Sequence, residues 1–140
     1  MDIAGKPAVA RTATAAGRIV LGPESIEAIR RGTVRKGDVL TTAQIAGIAA
    51  AKRTSELMPL CHPVPITKVQ LDLRVLPDGL EAKCTVSATY STGVEMEALT
   101  GASIALLTVW DMVKYMEKDQ LGQYPSTLIT DLRVLSKQKG

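Results

Sequence analysis

Asp111 and Lys114 stand three residues apart near the end of Thr92–Lys118, TGVEMEALTGASIALLTVWDMVKYMEK, the longest helical signal in the chain. That spacing lets two side chains meet on a helix surface. A carboxylate beside an amine is by default a solvated ion pair. Here the neighbours are Leu107, Trp110 and small residues, so partial desolvation is expected, the setting in which pKa values move and protons are exchanged. Apolar surroundings push the Lys114 pKa down and the Asp111 charge pushes it up, so its sign stays open at this level. His62, the only histidine, lies beside Cys61 in MPLCHPVPI, where closely spaced prolines rule out helix and favour extended backbone. Neighbouring Cys and His point to opposite faces of an extended chain, so a shared metal is not expected. A lone histidine is more often structural than catalytic; a proline-stiffened segment nevertheless suits a side chain that orients a substrate. Arg35 and Lys36 precede Gly37 and present two cations from a tight connection, which in most proteins is only a solvated turn.

The elements that position these residues can be read from periodicity. In the long helix Ala98, Ala102, Ala105, Leu106, Val109, Met112, Val113 and Met116 share one apolar face, while the back carries only Thr100, Ser103, Asp111 and Lys114, interrupted by Leu107. Such a back is too apolar for open water and is expected to meet another subunit. Thr92 with Glu95 reads as a capping box opening this helix, which already explains Glu95 but leaves Glu97 unexplained. Residues 1–10 read as a loose arm. Arg11–Leu21 reads as a strand of small residues, approached closely by another element, and Pro23 opens a short helix closed by Gly32. Thr41 with Gln44 repeats the capping box and opens an alanine-rich helix running to Pro59. Val69, Leu71, Leu73 and Val75 alternate with Lys68, Gln70, Asp72 and Arg74; after Pro77-Asp78-Gly79 the period returns from Leu80 to Tyr90, so this is a hairpin. A last strand, Ser126–Leu135, precedes a polar tail at 136–140. One-sided alternation implies an antiparallel sheet with helices on its apolar face, a single α+β domain of ferredoxin-like type spanning 1–140.

The chain has 140 residues, 46% apolar, enough for one core. No signal peptide is visible, and Ala98–Trp110 is too short and too punctuated to span a bilayer, so a cytoplasmic protein is expected. Cys61 and Cys84 have neither metal nor CxxC spacing and read as reduced thiols. A net charge of +3 suits an anionic small ligand without requiring nucleic acid, and the absence of Phe argues against base-stacking RNA modules.

KRTSELMPLCHPVPI at Lys52–Ile66 and TGVEMEALTGASIALLTVWDMVK at Thr92–Lys114, together with ARTATAAGRIVL and RKGDVLTTAQIAGI, resemble the cyclic pyranopterin monophosphate synthase family of molybdenum cofactor biosynthesis over nearly the whole chain. The resemblance implies a ferredoxin-like subunit assembled as a hexamer, a trimer of dimers with active sites at subunit interfaces. It further implies a lyase that takes a cyclised dihydro-GTP, supplied by a radical iron–sulfur partner enzyme, to cyclic pyranopterin monophosphate and diphosphate. Carried over by motif, Asp111 is the catalytic acidic position, Lys114 the proton-transferring amine and Lys36 a second essential lysine. Leu60, Cys61, His62, Met96 and Glu97, with Glu95 beside them, fall on substrate-contacting positions. The pattern departs at the C-terminus, where family members carry a glycine-rich tail with an embedded lysine and this chain reads Ser136-Lys137-Gln138-Lys139-Gly140.

The residues allow that chemistry. No GxxxxGK loop is present, so a triphosphate would be held by side-chain cations drawn from Arg11, Arg18, Lys36, Lys52, Arg53 and Lys68. No cysteine cluster exists for an iron–sulfur centre, so radical steps belong to another protein. Ring opening and closing, and attack of a sugar hydroxyl on the α-phosphorus, need general acids and bases, for which Lys114, Asp111, Lys36 and His62 suffice. No resident cofactor is called for; Mg²⁺ is compatible with the chemistry and has no motif of its own. A non-catalytic nucleotide- or pterin-binding module would bind the substrate and release no diphosphate, and a nucleic-acid-binding protein would show steep salt dependence.

Overall fold

The computed structural model describes residues 2–140. The order is β1 (Val9–Val20), α1 (Pro23–Arg31), α2 (Val39–Ala51), α3 (Thr54–Leu57), β2 (Ile66–Leu76), β3 (Gly79–Tyr90), α4 (Glu95–Glu117) and β4 (Leu128–Lys139). The four strands form one antiparallel sheet in the order β2-β3-β1-β4. This is the split βαβ arrangement of ferredoxin-like folds, and the expected α+β class holds. The hairpin alternation lands as read. Leu80, Ala82, Cys84, Val86 and Ala88 are buried under the helices, while Lys68, Gln70, Asp72 and Arg74 are exposed on the other face. There, hydroxyls pair across the strands, Thr12 with Ser87 at 3.1 Å and Thr14 with Thr85 at 2.9 Å.

α4 packs on β1 and β3 and against α2. Its approach depends on missing side chains. A Cβ on Gly101 would sit 2.6 Å from the Cys84 sulfur and 3.2 Å from the Gly47 carbonyl, so this glycine lets the helix touch sheet and α2 at once. Ala98, Ala102, Ala105, Leu106, Val109, Met112 and Val113 are buried as the periodicity requires. By length and composition α4 could cross a bilayer, yet it is the core helix, more than half buried inside the fold. Its far end is fixed by Glu117, whose buried carboxylate accepts hydrogen bonds from Gly22 N–H at 3.0 Å, from the Thr127 hydroxyl at 2.6 Å and from Ser25 Oγ.

Several local readings are corrected. Neither capping box forms. α4 starts after Val94, whose side chain has no acceptor to cap it, and the Glu95 carboxylate is engaged by Lys137. α2 is capped by Asp38, which accepts from Thr41 N–H at 3.0 Å, and Gln44 reaches across to the Leu71 carbonyl at 2.9 Å. The alanine-rich helix does not run to Pro59: Arg53 leaves helical geometry, and the buried Thr54 hydroxyl takes the Ala51 carbonyl at 2.9 Å, so α3 is a separate turn. Thr100, read as part of the polar back, is buried with its hydroxyl on the Met96 carbonyl at 2.7 Å. Finally, Val9 and Ala10 belong to β1, and the polar tail is strand: Ser136–Lys139 continue β4 along β1.

Candidate active site

The predicted site residues gather in two clusters at opposite ends of α4. At the C-terminal end, Asp111 lies between two amines. Lys114, one turn further on, donates to Asp111 Oδ1 at 2.9 Å. Lys36 reaches over from the segment between α1 and α2, its Nζ lying 3.0 Å from the Asp111 carbonyl oxygen and 3.4 Å from Oδ2. The expected desolvation is absent in the single chain: the side chains of Asp111, Lys36 and Lys114 are 59%, 43% and 41% exposed, because Asp111 lies on the outer face of α4, opposite the buried Val109, Met112 and Val113. Pairing therefore decides the titration. The Lys114 hydrogen bond, its charge and then the Lys36 charge hold the Asp111 carboxyl below the usual Asp range. Conversely, the hydrogen bond to Asp111 and its charge raise the Lys114 amine. Trp110 and Tyr124 meet edge-on beside this cluster, centroids 5.2 Å apart.

At the N-terminal end, Leu60, Cys61 and His62 from the proline-rich segment face Glu95, Met96 and Glu97 from the first turn of α4, around a cavity of about 240 Å³. All six substrate-contacting candidates thus come together. Glu97 is only 4% exposed, and burial, with the Glu95 charge adding to it, raises its carboxyl above the usual Glu range. Burial also raises the Cys61 thiol, with Glu97 and Glu95 adding to the effect, which keeps it protonated rather than nucleophilic.

A second cavity of about 200 Å³ adjoins the first through Gly93 and Glu95 and is lined by Arg11, Lys137 and Lys139; Lys6 stands on the neighbouring surface. Arg11 Nε and Glu95 Oε2 are buried here without a partner, and Arg11 lies directly opposite Lys139 across the sheet. Facing like charges are unfavourable unless something anionic joins them, and Lys137, 3.4 Å from Glu95 Oε1, is offset by that single acid. Arg11 was one of six unsorted cations in the sequence; Lys137 and Lys139 were missed. Their signal was the period-two spacing in Ser136-Lys137-Gln138-Lys139, which puts both lysines on one side of a strand.

Fourteen residues of helix, about 21 Å at the helical rise, separate Glu97 from Asp111. Among the described residues no group of three His, Cys, Asp or Glu side chains could hold a metal ion.

A ferredoxin-like α+β subunit with an amine–carboxylate–amine cluster at one end of its core helix and a cation-lined acidic pocket at the other is the class of protein that fold and site define. The profile of the MoaC family matches residues 1–140, and the chain belongs to that family. It is 56% identical to a probable cyclic pyranopterin monophosphate synthase of Thermococcus kodakarensis over all of this chain and 90% of the relative. It is 58% identical to one of Pyrococcus abyssi, over 99% of this chain and 87% of the relative. A Sulfolobus acidocaldarius protein named in the same way is 54% identical over 99% and 97%.

Proposed function

We propose that this chain is a cyclic pyranopterin monophosphate synthase that works at sites shared between subunits. Its place in molybdenum cofactor biosynthesis, as a lyase, follows from the family and from relatives of that name along its whole length. The substrate in this reading is cyclised dihydro-GTP made by a radical iron–sulfur partner enzyme. The observation that carries the mechanism is the Lys36–Asp111–Lys114 cluster. Asp111 keeps Lys114 in the ammonium form at rest, so Lys114 enters the cycle as a proton donor and becomes a base once it has given its proton up. In the cyclisation step the sugar hydroxyl attacks the α-phosphorus, its proton passes to a base, and diphosphate leaves with its charge met by cations. In this reading Arg11, Lys137 and Lys139, which line a cavity beside Glu95 and the pocket of Leu60, Cys61, His62, Met96 and Glu97, hold the triphosphate.

Two ends of α4 about 21 Å apart cannot touch the same reacting atoms, which supports the reading that one subunit's lysine cluster completes another's acidic pocket. Exposed apolar side chains agree with assembly: Leu107 on the back of α4 is 51% exposed, Ile45 on α2 63% and Leu60 at the pocket rim 83%. The reading includes a homohexamer built as a trimer of dimers, in the cytoplasm, with proton transfers assigned to side chains. The test is to give purified protein the cyclised dihydro-GTP and to assay pyranopterin and diphosphate. Binding without diphosphate release leaves only a nucleotide- or pterin-binding module and ends the enzymatic reading.

A further inference from the structure

One turn of α4 grips two consecutive residues of the segment that delivers Lys36. Asp111 and Tyr115 are four apart and share a helical face. Asp111 holds the Lys36 amine, through its backbone oxygen at 3.0 Å and its carboxylate at 3.4 Å. Tyr115 holds the neighbouring residue twice: its phenolic oxygen accepts the Arg35 backbone N–H at 2.8 Å, and the Arg35 guanidinium lies over its ring, 4.4 Å from the centroid. Elsewhere the segment has few attachments. It is bracketed by Gly32 and Gly37, both at positive φ, and plugged into the core by Val34 alone. Gly37 N–H closes the turn on the Val34 carbonyl at 3.0 Å. A lysine has four side-chain torsions, so fixing the backbone next to it restricts where the ammonium can reach.

We propose that Tyr115 is a positioning residue: through the Arg35 backbone and side chain it sets Lys36 against Asp111, so that the two-lysine cluster exists before substrate arrives. The inference rests on the proposed catalytic role of Lys36, and it adds a residue that does not itself meet the reacting atoms.

Tyr115→Phe removes the acceptor and keeps the ring; Tyr115→Leu removes both. With cyclised dihydro-GTP, the Phe variant is expected to lose about three- to tenfold in kcat with KM changed by less than about twofold, and the Leu variant to lose more. In a Lys36→Ala background Tyr115→Phe should add no further loss, which a merely structural role would not produce; oligomer mass and thermal midpoint check the fold. A readout independent of turnover is the Lys36 resonance in protein carrying 13Cε-labelled lysine: it should move in Tyr115→Phe while that of Lys52 stays put. Normal kcat in both variants, an unmoved Lys36 resonance, or a full multiplicative loss in the Lys36→Ala background overturns the proposal. If the wild-type protein releases no diphosphate, the functional reading fails, and the Lys36 resonance still decides whether Tyr115 positions it.

Discussion

Asp111 and Glu97 are carboxylates on one helix, and their protons are held in opposite ways. Asp111 projects into solvent between two ammonium groups and stays ionised, its pKa pulled down first by the Lys114 hydrogen bond. Glu97 is buried beside another acid and has its pKa pushed up. The cause is position along α4. Asp111 is on the outer face of the last turns, away from the buried Met112 and Val113, whereas the first turn is enclosed by the proline-rich segment and by Thr92 and Gly93. Burial at one end favours the protonated carboxyl and pairing at the other favours the ionised one. If sites are shared, the two kinds of acid face one substrate from different subunits.

The sharpest way to break this contrast is at the paired end. Lys114→Ala should cost about 10²–10⁴-fold in turnover while fold and oligomer persist, since the side chain is 41% exposed and its ion pair contributes little to stability. Lys114→Arg should fail almost as badly, because a guanidinium keeps the charge and cannot give up a proton near neutral pH. Near-normal turnover in the Arg variant would reduce Lys114 to an electrostatic clamp and move proton transfer to Lys36 or His62.

Mixing variants tests whether the ends meet across subunits. Glu97→Gln removes the titrating group of the buried end and should lose turnover by roughly 10²-fold or more. Assemblies re-formed from Glu97→Gln and Lys114→Ala chains should regain activity, because some interfaces join two intact ends. Mixtures of Lys36→Ala and Lys114→Ala should not, since both lysines serve the same Asp111 within one chain. Recovery in the second mixture and none in the first would reverse the assignment.

A smaller effect is expected at His62, which lines the acidic pocket on its proline-held segment. His62→Asn keeps hydrogen bonding and cannot titrate, so it should raise KM about tenfold and leave kcat within several-fold. Loss of all turnover with substrate binding intact would make His62 an acid or base.

Much of this was legible in the sequence, for identifiable reasons. The hairpin and the core face of α4 follow from period-two and 3.6-residue patterns that burial enforces, so Ala98, Ala102, Ala105, Leu106, Val109, Met112 and Val113 were readable, whereas the buried Thr100 and Gly101 were not. Pro23 and Gly32 bound α1 as read, but the starts of α2 and α4 were not legible: Asp38, just upstream of Thr41, caps α2, and Glu95 pairs with a lysine 42 residues away in sequence. Lys137 could not be connected with Glu95, and Asp111 could not be judged exposed, without knowing that β4 continues along β1 and that, among the described residues, no element covers the outer face of α4 at Asp111. Tyr115 carried no motif; only the loop folded against it reveals what it holds.

The smallest effect predicted is on stability, and it separates burial from pairing without any substrate. An acid whose folded pKa is raised binds its proton more tightly in the folded state, so its contribution is most favourable below the ordinary Glu range and is lost as pH rises through the raised value. Glu97→Gln is neutral throughout. Its thermal midpoint relative to wild type should therefore climb as pH rises from the ordinary Glu range and level off above the folded Glu97 pKa. Asp111→Asn should do the reverse over a more acidic range: the lowered Asp111 pKa gives wild type an advantage present above the ordinary Asp value and lost as pH falls through the folded one, and solvent screening keeps that advantage small. Parallel midpoints at every pH for Glu97→Gln would mean that the carboxyl reaches water in the assembled protein, and the contrast between the two ends of α4 would rest on charge pairing alone.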